Sequence, residues 1–303
     1  MAALGQGASL AVRQRRPAGF DFTGPALPAG ATLTRASAAT LATGAGTIGT
    51  VAADVPRFER DFASGVPLGL LVEPAATNRF TQSAAFFGNG AWQYGPSLTS
   101  AFLTASASSA LLSPVGGAVT QFTDTGGGDP RFLRKTGVAI SGPDTLSIHV
   151  FVPTQAGVNN WSIFVSLQDT ESASVPAMTV FDRWVRVSFA IGALSGSRIY
   201  VDFGVRINGG ASTAGQRLFA ACAQLEAGAR TTSFIATDGA AGTRAADAAV
   251  LDWGSRGVAD GAVSVRYAFD DGTSQDVATT VSGGRAAVPT GLRRARLIRA
   301  TLA

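Results

Sequence analysis

Four runs of this chain alternate apolar and polar residues with a period of two, and that period specifies half-buried strands rather than helices. Residues 145–152 place Leu146, Ile148, Val150 and Val152 on one face. Residues 161–167 follow the polar pair Asn159-Asn160. Residues 184–191 set Trp184, Arg186, Ser188 and Ala190 against Val185, Val187, Phe189 and Ile191. Residues 197–207 direct Ile199, Val201, Phe203, Val205 and Ile207 inward. Gly142-Pro143, Gly192 and Gly209-Gly210 punctuate the runs. Short alternating strands at this spacing predict an all-β fold, with an antiparallel jelly-roll-like sandwich over residues 79–250 that ends in a Gly/Ala/Thr linker from 236.

The flanks are less regular. Residues 1–19 join small apolar residues to the basic cluster Arg13-Gln14-Arg15-Arg16 and are too short for a core; they read as an anchoring arm, ordered against a partner. Residues 20–78 hold short strand candidates cut by Gly and Pro, an irregular β-containing segment expected to pack on a neighbouring subunit or the next domain. Residues 251–303 read as a small β-domain, with a hairpin turn at Asp271-Gly272. Its core is marginal alone. Arg293, Arg294, Arg296 and Arg299 lie on its last strand, where solvated charges suit a sheet edge, with a binding patch as the alternative.

One stretch couples these parts. Residues 69–78, Gly-Leu-Leu-Val-Glu-Pro-Ala-Ala-Thr-Asn, read as a buried strand with Glu73 at or just past its end. A carboxylate there is costly unless paired, which predicts a structural ion pair between Glu73 and either Arg35 or Arg57.

Chemistry is sparse. Lys135 is the only lysine among 24 basic residues, and the arginines are scattered rather than gathered on one face, which argues against nucleic-acid binding. Cys222 is the only cysteine, so neither an internal disulfide nor a Cys-based metal site can form, and its apolar run predicts an inert buried thiol. His149 is the only histidine, inside a strand and without a Gly-x-Ser-x-Gly elbow anywhere; it reads as structural. Asp169 with Glu171, and Asp270 with Asp271, read as solvated turn residues rather than a hydrolytic carboxylate pair. Asp124 and Asp129 are too few oxygens for calcium. No catalytic residue, metal or cofactor is expected. No segment approaches eighteen uninterrupted apolar residues, and the basic cluster follows the apolar residues at the N-terminus, the reverse of a signal peptide. Synthesis in the cytoplasm without membrane insertion is the expectation.

Flat rings beside polar groups are the usual sugar platforms. Trp92 and Tyr94 in a Gly-rich stretch, with Asn159, Asn160 and Trp161, are the candidate glycan-binding residues on that ground.

The motifs Leu33-Thr34-Arg35-Ala36-Ser37-Ala38-Ala39-Thr40, Pro56-Arg57-Phe58-Glu59, Gly69-Leu70-Leu71-Val72-Glu73-Pro74 and Thr77-Asn78 occur in that order. Gln224-Leu225-Glu226-Ala227-Gly228, Thr232-Ser233-Phe234-Ile235 and Thr243-Arg244-Ala245-Ala246-Asp247 follow. Wording and order resemble the phage head-spike fibre and tail-associated protein family, over residues 20–250. The chain departs from it at Pro74-Ala75-Ala76, where the family usually shows a charged Glu-x-Arg. The resemblance implies a carbohydrate-module-like β-sandwich on the surface of a phage or phage-like particle, such as a gene transfer agent. It implies a homo-oligomer, a trimer or alternatively a five-fold arrangement, that contacts other virion proteins through the N-terminal segment and host surface glycan through the sandwich. A tail-associated or spike-base connector with no ligand is the alternative, and a polysaccharide-degrading enzyme a further one, weakened by the absence of repeats.

Overall fold

The computed structural model describes residues 19–84, 86, 92–94, 103–124, 131–140, 142–168, 170–194, 196, 198–209 and 214–303. Among these every strand pairing is antiparallel, there is no α-helix, and the only helical turn is the 3-10 segment Gly254–Arg256. Residues 1–18 of the expected arm, Asp129 and Asp169 lie outside the described residues. No helix among the described residues is long and apolar enough to cross a membrane.

Two five-stranded sheets form the sandwich. One runs, in spatial order, Trp184–Ile191, Asp144–Phe151, Arg217–Ala227, Ala118–Asp124 and Leu103–Leu112. The other runs Thr170–Ser174, Trp161–Leu167, Arg198–Ile207, Arg131–Ile140 and Trp92–Tyr94. The alternating residues explain the layering: Leu146, Ile148 and Val150 of the first sheet join Ile163, Val165, Val201, Phe203 and Val205 of the second in one core. Each such side chain contributes about 1.5–3 kcal/mol on burial. Ile199 departs from the expected inward set and is 62% exposed. Its strand pairs with Arg131–Ile140 through a register shift between Thr136 and Ile140, so Ile199 sits at an irregular end of the ladder.

The flanks are not separate modules. Ser274–Val281, Gly261–Phe269, Arg296–Leu302, Pro67–Leu71 and Phe58–Arg60 lie side by side in one sheet, and Gly19–Asp21 also pairs with Arg296–Leu302. Each flank alone had apolar strips without partners; together they bury Phe20, Phe22, Leu70, Trp253, Tyr267, Phe269 and Leu297 in a shared core. The residues expected as a linker contribute Ala248–Asp252, the middle strand between Ala31–Thr34 and Arg285–Ala287. The arginine-bearing strand is central, not an edge. Its charges are spent on ion pairs, Arg296 with Glu59 and Arg299 with Asp21, while Arg294 just before it meets Asp270.

Gly69 makes that sheet possible. It has a φ of +95°, and a Cβ there would stand 2.1 Å from the Leu297 carbonyl oxygen. The hairpin Ala39–Gly44/Thr47–Val51 reaches the other way, onto the outer face of the sandwich. Ile48 donates its N–H to the Pro114 carbonyl at 2.7 Å, and Ile48 and Phe62 pack against Trp184, Phe219, Cys222 and Phe234. End-sheet body and sandwich are thus in direct contact.

Candidate functional site

Where the two bodies meet, the motif residues converge. Arg57 donates from Nη1 to Glu73 Oε2 at 2.8 Å, to Ser233 Oγ at 2.7 Å and to the Thr40 carbonyl at 3.0 Å; its Nη2 donates to Asp247 Oδ2. Arg35, the other candidate for Glu73, instead donates to Asp247 Oδ1 at 3.0 Å and to the carbonyls of Ser37, Ala52 and Val55. Glu73 also accepts the Ser233 N–H at 2.8 Å, and its own N–H reaches Asp247 Oδ2 at 2.8 Å. Arg244 stands 3.5 Å from Glu73 and donates to the Pro74 carbonyl at 2.7 Å, placing a guanidinium beside the Pro74-Ala75-Ala76 departure. Burial alone would raise the Glu73 carboxyl, but the Arg57 and Arg244 charges and the Ser233 hydroxyl outweigh it and hold it below the ordinary carboxylate range.

Neighbouring motif residues satisfy the surrounding backbone. Asn78 donates to the Ala223 and Ile235 carbonyls and accepts the Leu225 and Phe80 N–H groups. Glu226 accepts the N–H and the hydroxyl of Thr232 at 2.9 and 2.7 Å, and Gln224 accepts the Ile235 N–H at 2.7 Å. Their roles are structural, since a buried polar group must be paired to be tolerated.

A cleft of about 510 Å³ opens over this network. One wall is the loop after Arg217–Ala227, the other the loop before Arg296–Leu302, and Glu73, Ser233 and Arg186 are part of its lining. Arg230 spans the walls, donating to the Leu292 carbonyl at 2.6 Å. Burial pulls the Arg186 guanidinium below its ordinary pKa, with Glu226, Glu73 and Glu59 opposing that. Arginine, glutamate, threonine and serine side chains share the lining with alanines, Leu71, Pro74 and Leu292, and no aromatic ring belongs to it.

The aromatic platform expected elsewhere does not form. Trp92 is 3% exposed in the strand Trp92–Tyr94, packs on Phe80 and Phe86, and donates its indole N–H to the Gln82 carbonyl at 2.5 Å. Trp161 is fully buried and donates to the Val180 carbonyl at 2.7 Å. Both rings are core, because a large ring at an inward strand position is worth more packed than displayed. Tyr94 is half-buried against Phe122, and burial pushes its hydroxyl up to about 12. Asn159 is exposed and Asn160 half-buried; both N–H groups donate to Asn208 Oδ1, so the pair shapes a turn.

His149 and Cys222 are interior residues. Burial and then the adjacent Arg186 push the imidazole down to about 3, and burial pushes the thiol up to about 12. Asp270 is held by Arg294, and Asp271 caps its own turn by accepting from Thr273. Among the described residues no group of three or more His, Cys, Asp or Glu could hold a metal ion. Sequence reasoning missed the cleft, whose arginines come from strands and loops far apart in the chain. The only advance signal was the Arg293-Arg294 pair.

No family model and no curated protein sequence matches the chain. Among solved structures, the xylan-binding domain from carbohydrate-binding module family 22 aligns over 51% of this chain and 97% of its own, at TM-score 0.36 and 12% identity. The Clostridium thermocellum xylanase 10B CBM22-1–GH10 modules align over 52% of this chain and 28% of that chain, at TM-score 0.34 and 11% identity. The MgGH51 α-L-arabinofuranosidase aligns over 64% of this chain and 31% of that chain, at TM-score 0.35 and 16% identity. The match therefore takes in less than a third of either enzyme's length.

Proposed function

We propose that the chain is a surface component of a phage or phage-like particle, a head spike or fibre, that attaches the particle to host surface polysaccharide. The observation that carries this reading is the convergence of Arg35, Arg57, Glu73, Ser233, Arg244 and Asp247 on one buried network. Motifs spread across most of the chain act as a single architectural signature, and it was their wording and order that resembled the spike and tail-associated family. Glycan contact is assigned to the junction cleft, whose guanidinium, hydroxyl and main-chain groups suit sugar hydroxyls. Many copies on one particle would multiply weak contacts through avidity. The reading gives the chain no catalytic step.

The burial of Trp92 and Trp161 favours a second reading, a tail-associated or spike-base connector with no ligand, because the sandwich then lacks its expected platform. Mass spectrometry of purified particles from the producing bacterium tests the particle assignment: the chain co-purifies with capsid proteins if the reading holds, and its absence from intact particles contradicts it.

A further inference from the structure

We propose that the junction cleft binds an acidic saccharide, one whose sugars carry carboxylate groups. The inference rests on the glycan-attachment reading and specifies its ligand.

Charge accounting around the cleft points this way. Five arginines and two glutamates line it. Both glutamates are spent: Glu73 on Arg57 and Ser233, Glu59 on Arg296. Arg294 and Arg296 are held by Asp270 and Glu59. The other three arginines, Arg186, Arg230 and Arg293, have no carboxylate within ion-pair distance among the described residues. Arg230 touches only a carbonyl through its side chain. The Arg293 guanidinium lies over the Phe269 ring, 6.0 Å from its centroid. Arg186 donates to the Thr232 carbonyl and the Ser147 hydroxyl, and its buried Nε has no hydrogen-bond partner.

The unpaired Arg230 and Arg293 guanidinium groups on the two walls of one concavity make a positive field stronger than the same charges would make on a flat surface, while the Arg186 charge is partly offset by Glu226. A planar guanidinium presents paired N–H donors that match a carboxylate. Thr231 and Thr290 add hydroxyl groups for the sugar ring. Because no aromatic ring lines the cleft, recognition there runs through charge and hydrogen bonds, not stacking. A neutral glycan would leave the Arg230 and Arg293 charges unanswered.

The test is surface plasmon resonance of the full chain against polygalacturonate, against the same polymer after chemical reduction of its carboxylates to alcohols, and with inorganic phosphate as competitor. Binding to the native polymer, weakened at least about tenfold by carboxyl reduction and falling as salt rises past about 0.15 M, is expected. Arg230→Gln and Arg293→Gln, both at exposed positions, should each weaken it about tenfold. Arg266→Gln, in an exposed ion pair that is no part of the cleft lining, should not. Equal binding to native and reduced polymer overturns the inference and leaves glycan attachment standing. Displacement by phosphate at the polymer's own affinity overturns it in favour of a bare-anion site. Binding to neither polymer also overturns it, and attachment is then decided separately with host polysaccharide.

Discussion

Arg57 and Glu73 meet at 2.8 Å with both side chains almost wholly out of water, and the same guanidinium reaches Asp247 with its other nitrogen. Sixteen residues separate the pair in sequence, but Asp247 lies 190 residues from Arg57, so this one side chain ties the segment before the sandwich to the segment after it. A guanidinium suits the task because its fork serves two carboxylates at once.

Arg57→Ala should therefore be costly. It takes the shared guanidinium from two buried carboxylates, leaving Asp247 with Arg35 and Glu73 with Arg244 at 3.5 Å, and removal of one partner of a buried pair costs about 3–5 kcal/mol. Urea denaturation measures it. The double variant Arg57→Ala/Glu73→Gln should lose less than the sum of the single losses, because the two residues share one interaction.

His149 sets a pH dependence. Its imidazole sits near 3 in the fold against 6.5 ordinarily, mainly through burial. Below the ordinary value the unfolded chain takes up a proton that the native chain refuses. Stability is then lost as pH falls toward the folded value, by up to about 1.4 kcal/mol per pH unit. Glu73, depressed by its arginines, adds its own loss only further into acid, as pH falls through its folded value. His149→Phe should flatten the change in urea midpoint between about pH 7 and about pH 5, while Glu73→Gln should leave that window unchanged.

Gly69→Ala tests the shared end sheet. The substitution brings a Cβ against the Leu297 carbonyl at a positive φ, so the strand Pro67–Leu71 must move off Arg296–Leu302. A loss well above about 1 kcal/mol is expected, visible as a lowered melting temperature. Ala substitution at Gly116, also at positive φ but with open space around it, should cost less.

Period-two alternation made the sandwich strands legible: Trp161–Leu167 and Trp184–Ile191 lie where residues 161–167 and 184–191 alternate. Glu73 announced its need for an arginine through its apolar approach. What the alternation could not carry was partnership. Nothing local tells Pro67–Leu71 that its neighbour is Arg296–Leu302, because a strand's pairing is set by which apolar strips remain uncovered once everything else has packed. The same limit misplaced Trp92 and Trp161. A tryptophan beside glycines or asparagines looks displayed, and only the sheet it joins shows it to be core. The cleft was illegible for a related reason: Arg186, Arg230 and Arg293 become neighbours only after the sandwich and the end sheet dock.

Attachment to host surface polysaccharide is read out by retention of the chain on that polysaccharide. Purified full chain would be passed over polysaccharide extracted from the bacterium its particles infect or adhere to, coupled to beads. Saturable retention, released by the same polysaccharide in solution, is expected. Flow-through of a folded chain, with no retention above uncoupled beads, would contradict it.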